Sequence, residues 1–238
     1  MNASAPLIIS ALGKGGNNHA EFAGNTKLDR DAIQAFRERH RNVAVVDVFE
    51  VRLPPELPAE LNLEAAAKVQ NVTCYFEAPY PSDSMELRNL LCSLPHPAEA
   101  GFKYRCGGSE PAAYPSPKNF AWVIETSVEM RRQLKFTAGL HHPIRHFNTA
   151  AGANMHGFVN VLVAGLMHKA HRVPAQPILA DEDASHFVFT DTAVRWKDYE
   201  VGAEAIRLIR QFRANVVSFG SCSFDEPRDD LRKLGWLP

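Results

Sequence analysis

From about residue 70 the chain alternates between two hydrophobic periods. VTCYFEAP (72–79) is a short β-type run closed by proline, and SMELRNLLCSL (84–94) then sets Met85, Leu87, Leu90, Leu91 and Leu94 at helical spacing. GFKYRCGG (101–108) again reads as a strand. PSPKNFAWVIETSVEMRR (115–132) reads as a helix with Pro117 in its first turn, where a missing N–H costs little. QLKFTAGL (133–140) predicts the next strand and NMHGFVNVLVAGLMHKAH (154–171) the next helix; NVVSFGSCSF (215–224) and EPRDDLRKLG (226–235) close the series as strand and helix. Upstream, DRDAIQAFRERH (29–40) predicts a helix leading into a strand at NVAVVDVFEVRL (42–53), and PLIISALGKGG offers an opening strand. HFVFTDTAVRW (186–196) is strand-like without an obvious place in the order.

Strands that alternate with helices of ten or more residues call for a parallel sheet, because parallel neighbours need a crossover. Six or seven such strands in one domain over 1–238 predict a TIM-barrel-like parallel (β/α) barrel, incomplete or irregular, since a full barrel takes about 250 residues. The preference for a barrel over an open sheet comes from the polar positions. Side chains alternate along a strand. Thr73, Tyr75 and Glu77 share one face, Lys103 and Arg105 another, and Lys135 and Thr137 a third, each opposite an apolar face. An open α/β sheet buries both faces and tolerates few charges, whereas a barrel sends its polar faces to the axis and its carboxyl-end rim.

Two lysines and an arginine with one carboxylate suit a carboxylate or phosphate ligand. A lysine beside other cations in a partly dry site loses its proton more easily and can form a Schiff base. Lys135 is the first candidate and Lys103 the second. Arg105 and Lys103 are the expected anion binders, with Arg145 as a further substrate-binding residue, and Glu77 either shuttles a proton or simply neutralises Lys103. The loop after the strand at 133–140 carries His141, His142, Arg145 and His146. His141 or His142 suits general acid–base work at a strand end. HHxxxH is a poor zinc pattern, so no metal ligands are assigned. Gly107 and Gly108, and Ser221 and Ser223 before the last helix, are candidate anion-binding positions, with Asp225 or Glu226 as alternative helix caps. GKGGNNH (13–19) lacks the P-loop order and is read as a flexible lid.

Composition removes some classes. The 238 residues carry 26 Lys and Arg against 27 Asp and Glu, a net charge of −1, which gives no basic surplus for nucleic acid. Apolar stretches fall short of the ~18–20 residues of a membrane span. The N-terminus lacks a signal-peptide pattern, and the cysteines form no CxxC, which points to a cytoplasmic protein with free thiols.

FKYRCGG, LKFTAGLHHPIRH followed by HGFVNVL, and SFGSCSFDEP together resemble an uncharacterised group of bacterial proteins with RCGG, KFTAGLHHP and SFGSCSFDEP at strand ends. The likeness spans about residues 100–235 and implies no activity. The chain is also similar to class I aldolases and phosphate-binding TIM barrels, whose catalytic lysine stands on a strand before a glycine-containing turn, as Lys135 does before Thr137-Ala138-Gly139. The expected function is lysine-assisted lyase or isomerase chemistry on a small anionic carbonyl compound, with no cofactor, nucleic acid or membrane partner, and with homo-oligomerisation left open. The alternatives are a metal-dependent hydrolase built on the His141–His146 loop and a non-catalytic anion-binding barrel.

Overall fold

The computed structural model describes residues 7–55, 63, 68, 71–78, 84–95, 100–202, 216–219, 223 and 225–238. The chain divides into two compact units, Met1–Lys103 and Tyr104–Pro238.

In the first unit, β1 (Leu7–Leu12), β2 (Ala44–Arg52), β3 (Thr73–Glu77) and β4 (Ala100–Arg105, of which the last two residues belong to the second unit) pair in parallel and in chain order. Helix α1 (His19–His40) joins β1 to β2, and α2 (Ser84–Ser93) joins β3 to β4. α1 starts ten residues before the apolar period does, because Asn18 caps it by accepting from the Glu21 N–H. The β1–β2 register slips between Ile9 and Ser10, which leaves Asp47 as an extra residue on β2. Buried apolar positions accordingly change parity, from Ala44 and Val46 to Phe49 and Val51. Glu50 is thereby placed on the face opposite Phe49, beside Tyr75.

The loop read as a lid is tied down. The Lys14 and Asn17 N–H groups donate to Asp29 and Glu21, and Asn25 donates to the Gly15 carbonyl. Gly16 passes so close to α1 that an added Cβ would lie 2.3 Å from the Phe22 nitrogen.

In the second unit, α3 (Pro117–Glu129) opens with Ser116 as cap and Pro117 in its first turn. It leads into β5 (Leu134–Thr137), which pairs in parallel with β11 (Val216–Phe219), while Cys106 at the end of β4 donates to the Thr137 carbonyl. Six strands therefore take part in parallel pairing among the described residues, not the eight of a closed TIM barrel. The fold is mixed α/β with parallel strands and flanking helices. Two segments depart from the βα pattern. The stretch read as the start of a helix at 154 forms a small antiparallel pair, β6 (His146–Asn148) with β7 (Ala153–Met155), and α4 (Phe158–His171) begins after it. After the short α5 (Ala175–Leu179), HFVFTDTAVRW folds into β8 (Phe187–Phe189) and β9 (Ala193–Trp196), which continue antiparallel into β10 (Tyr199–Gly202). Short turns join these strands, and a short turn cannot make a parallel crossover. α6 (Asp225–Lys233) ends the series.

α4 is apolar on nearly every side and buried from Phe158 to Val161 and from Val163 to His168. It packs on α3, α5 and β10, as an all-round hydrophobic helix must. Phe120 stands at the centre of an aromatic cluster, its ring 5.2 Å from Tyr104, 5.3 Å from Phe136 and 4.8 Å from His156.

Candidate functional site

The first unit gathers its charges into one buried group. Register pairs Glu77 with Lys103 on adjacent strands, and Glu50 lies two residues down β2 on the same face. The Lys103 ammonium donates to Glu50 at 2.8 Å and to Glu77 at 2.9 Å, with side-chain exposures of 12%, 7% and 9% for Lys103, Glu50 and Glu77. Burial alone would lower the proton affinity of Lys103. The hydrogen bonds to Glu50 and Glu77 outweigh burial and hold its pKa above the ordinary lysine value. Burial, then the nearby Glu50 and Asp47 charges, also push the Tyr75 phenol upward, so it stays neutral. Lys103 thus spends its ammonium on two carboxylates and holds its proton more tightly than an ordinary lysine, which works against attack on a carbonyl.

The second unit carries a more open group at the carboxyl ends of β4 and β5. Ala138 and Gly139 both adopt positive φ (56° and 71°), turning the chain sharply after β5. A Cβ on Gly139 would lie 2.6 Å from the Cys106 carbonyl, and one on Gly107 would lie 2.6 Å from the Tyr114 ring and 2.9 Å from Gly139. Gly108 accepts from the Tyr114 hydroxyl. The two glycines after β4 therefore allow close packing of the backbone against Tyr114, Ala113 and Gly139. Beyond the turn, His142 Nδ1 donates to Asp230 Oδ2 at 2.5 Å, and the other Asp230 oxygen accepts from Lys233 at 2.9 Å. The exposures of His142 and Asp230 are 28% and 18%. Burial would raise the Asp230 carboxyl, but its hydrogen bonds from Lys233 and His142 prevail and keep it ionised below the usual range. His142 Nε2 is 4.0 Å from Glu226, outside hydrogen-bond range, and His141 Nδ1 is 3.7 Å from the same carboxylate. The His142 and His146 rings meet edge to face at 4.5 Å.

Lys135 and Thr137 are half-buried on the polar register of β5, opposite the buried Leu134 and Phe136, and Arg105 is half-buried at the end of β4. Arg145 pairs with Glu182 at 3.4 Å and faces His156 Nδ1 at 3.5 Å. His156 is fully buried and donates from Nε2 to the Pro115 carbonyl at 2.7 Å; burial pushes its pKa down to about 4, so it is neutral. Ser223 accepts from the Glu226 N–H, so the hydroxyl, rather than Asp225 or Glu226, caps α6. Ser221 and Cys222 lie outside the described residues. No group of three or more His, Cys, Asp or Glu able to hold a metal is present among the described residues. No helix among them is long and apolar enough to cross a membrane.

Four functional or site-shaping residues escaped sequence reading. Glu50 follows from the same alternation argument once the slip at Asp47 is known. Asp230 was legible, since Glu226 and Asp230 stand four apart on one face of a helix. Asp181 was not. Its carboxylate accepts from His186 and Trp196 and lies 3.6 Å from Lys197, pinning the β8–β9 sheet. Asn160, inside the apolar α4, carried no periodic signal either. No protein-family model, curated protein or solved structure matches the chain.

Proposed function

We propose that the second unit catalyses proton transfer on a small anionic carbonyl compound, as an isomerase or lyase, with His142 as the acid–base group. The observation that carries this reading is the 2.5 Å contact between His142 Nδ1 and an ionised, half-buried Asp230. Such a carboxylate fixes the imidazole tautomer and stabilises the imidazolium that forms when Nε2 takes a proton. His142 Nε2 accepts the proton from the carbon next to the carbonyl, the electron pair moves onto the carbonyl oxygen, and the proton returns to the neighbouring carbon or to a leaving group. His141, beside Glu226, is the second proton carrier. Arg105 and Lys135, on the strand ends that lead to this loop, supply positive charge for the substrate's carboxylate or phosphate and for the developing enolate. Carboxyl ends of parallel strands are where α/β sheets bind ligands.

The test is hydrogen exchange in D₂O with hydroxy-carbonyl acids and their phosphate esters, followed by NMR. Loss of the C–H signal should slow about 10²–10⁴-fold in His142→Gln. Equal exchange in wild type and His142→Gln, or none in either across both substrate classes, overturns the reading. Borohydride trapping then assigns Lys135: an adduct absent from Lys135→Ala makes it a Schiff-base nucleophile, and no adduct leaves it an electrostatic group.

A further inference from the structure

The segment that carries His142 is irregular, yet its ring must meet Asp230 closely. What holds it is buried inside α4. Asn160 is 0% exposed and uses its amide on three backbone groups. Its Oδ1 accepts from the Arg145 N–H at 2.9 Å, and its Nδ2 donates to the Ile178 carbonyl at 2.8 Å and the Asp181 carbonyl at 2.7 Å. The first turn of α4 grips the same segment, with the Phe158 N–H donating to the His142 carbonyl and the Val159 N–H to the Pro143 carbonyl. These N–H groups are the ones a helix N-terminus would otherwise present to an anion. Here they hold the histidine's own backbone. Gly157 allows the approach, since a Cβ there would lie 2.2 Å from the Pro143 carbonyl oxygen and 2.4 Å from Asn160 Oδ1.

We infer that Asn160 is a positioning residue for His142: it fixes the 142–145 backbone on the start of α4 so that the imidazole reaches Asp230. This rests on the proposed role of His142 in proton transfer, but its test does not require turnover. Asparagine is needed because the site presents one donor and two acceptors. Aspartate, of nearly the same shape, would set a carboxylate against the Ile178 and Asp181 carbonyls. Leucine would leave all three backbone groups without the side chain, in a buried place.

The experiment uses the full chain labelled with ¹⁵N-histidine. The wild type should show a low-field, exchange-protected Nδ1–H resonance, assigned to His142 by its loss in His142→Gln and in Asp230→Asn. Asn160→Asp should abolish it while the His156 Nε2–H resonance, from the bond to the Pro115 carbonyl, persists and reports a folded unit. Should Asn160→Asp fail to fold, Gly157→Ala tests the same seat by displacing the Pro143 carbonyl, with the same expected loss. An unchanged His142 resonance in a folded Asn160→Asp or Gly157→Ala variant overturns the inference, as does its absence from the wild type. A resonance that depends on Asn160 in a protein with no proton-transfer activity keeps the inference and removes the functional reading.

Discussion

The two units treat ionic side chains in opposite ways. In the first, Glu50, Lys103 and Glu77 are almost fully enclosed, and the ammonium bonds to both carboxylates at 2.8 and 2.9 Å. In the second, His142 bonds to Asp230 through one ring nitrogen and keeps the other 4.0 Å from its nearest carboxylate. The enclosed cation holds its proton more tightly than an ordinary lysine. The imidazole is half-exposed, and only one of its ring nitrogens is engaged by a carboxylate. The contrast is between a buried ion triad that links neighbouring strands and a half-exposed pair to which the proposed function assigns proton transfer.

The largest expected effect tests that division directly. Lys103→Met leaves two buried carboxylates facing each other without their cation and should destabilise the protein by about 3–5 kcal/mol in urea unfolding. Replacing Glu50 and Glu77 by glutamine in the same chain should recover most of the loss, because the uncompensated charges are then gone. His142→Gln, at a half-exposed pair, should cost no more than about 1 kcal/mol. Equal losses from the two single substitutions would erase the difference between the units.

A third kind of site sharpens the comparison, a buried histidine held neutral. His156 has its pKa lowered from 6.5 to about 4 by burial, against the bond to the Pro115 carbonyl that favours its charged form. The unfolded chain therefore binds a proton at pH values where the folded chain does not, and stability falls as pH drops from 6.5 towards 4. At roughly 1.4 kcal/mol per pH unit the loss is about 3 kcal/mol over that window. His156→Gln can still donate to the Pro115 carbonyl, and it should remove this part of the acid sensitivity. Stability curves at pH 7 and pH 4.5 for the two proteins give the difference. A wild type and variant with the same pH dependence would mean that His156 accepts its proton in place.

The legible part of this protein was its repetition. Period-two alternation on β3, β4 and β5 placed Glu77, Lys103, Arg105 and Lys135 on polar faces correctly, because a parallel register keeps facing residues on one side of a sheet. The same alternation allowed the mutual neutralisation of Glu77 and Lys103. It could not give the third member, since the extra residue at Asp47 reverses which positions on β2 face Glu77. Among the described residues the alternation of parallel strand and helix breaks off where local turns decide the topology. At Thr190–Ala193 and Lys197–Asp198, side-chain hydrogen bonding and a positive φ at Lys197 fold the chain straight back, and apolar alternation alone does not distinguish such a hairpin from a crossover strand. The His141–His142 loop was recognised for its residue types. Its partners on α6 required contacts spanning 88 positions in sequence, as between His142 and Asp230.

The smallest expected effect lies at the start of α6, on the open side of the comparison. This helix has no fully buried residue, so little apolar packing fixes it, and its first turn relies on the Ser223 hydroxyl, which accepts from the Glu226 N–H at 3.0 Å. Removing a hydroxyl cap typically costs about 1 kcal/mol. Ser223→Ala should therefore leave the global unfolding midpoint nearly in place while the first amides of α6 exchange with solvent several-fold faster. Because Glu226 and Asp230 ride on that helix, the His142 Nδ1–H resonance should weaken in step, whereas a buried group such as Lys103 with its two carboxylates should not respond. Faster exchange at α6 with an untouched His142 resonance would mean that Asp230 holds the ring independently of the cap. The half-open pair would then be as rigid as the enclosed triad, and exposure would no longer distinguish them.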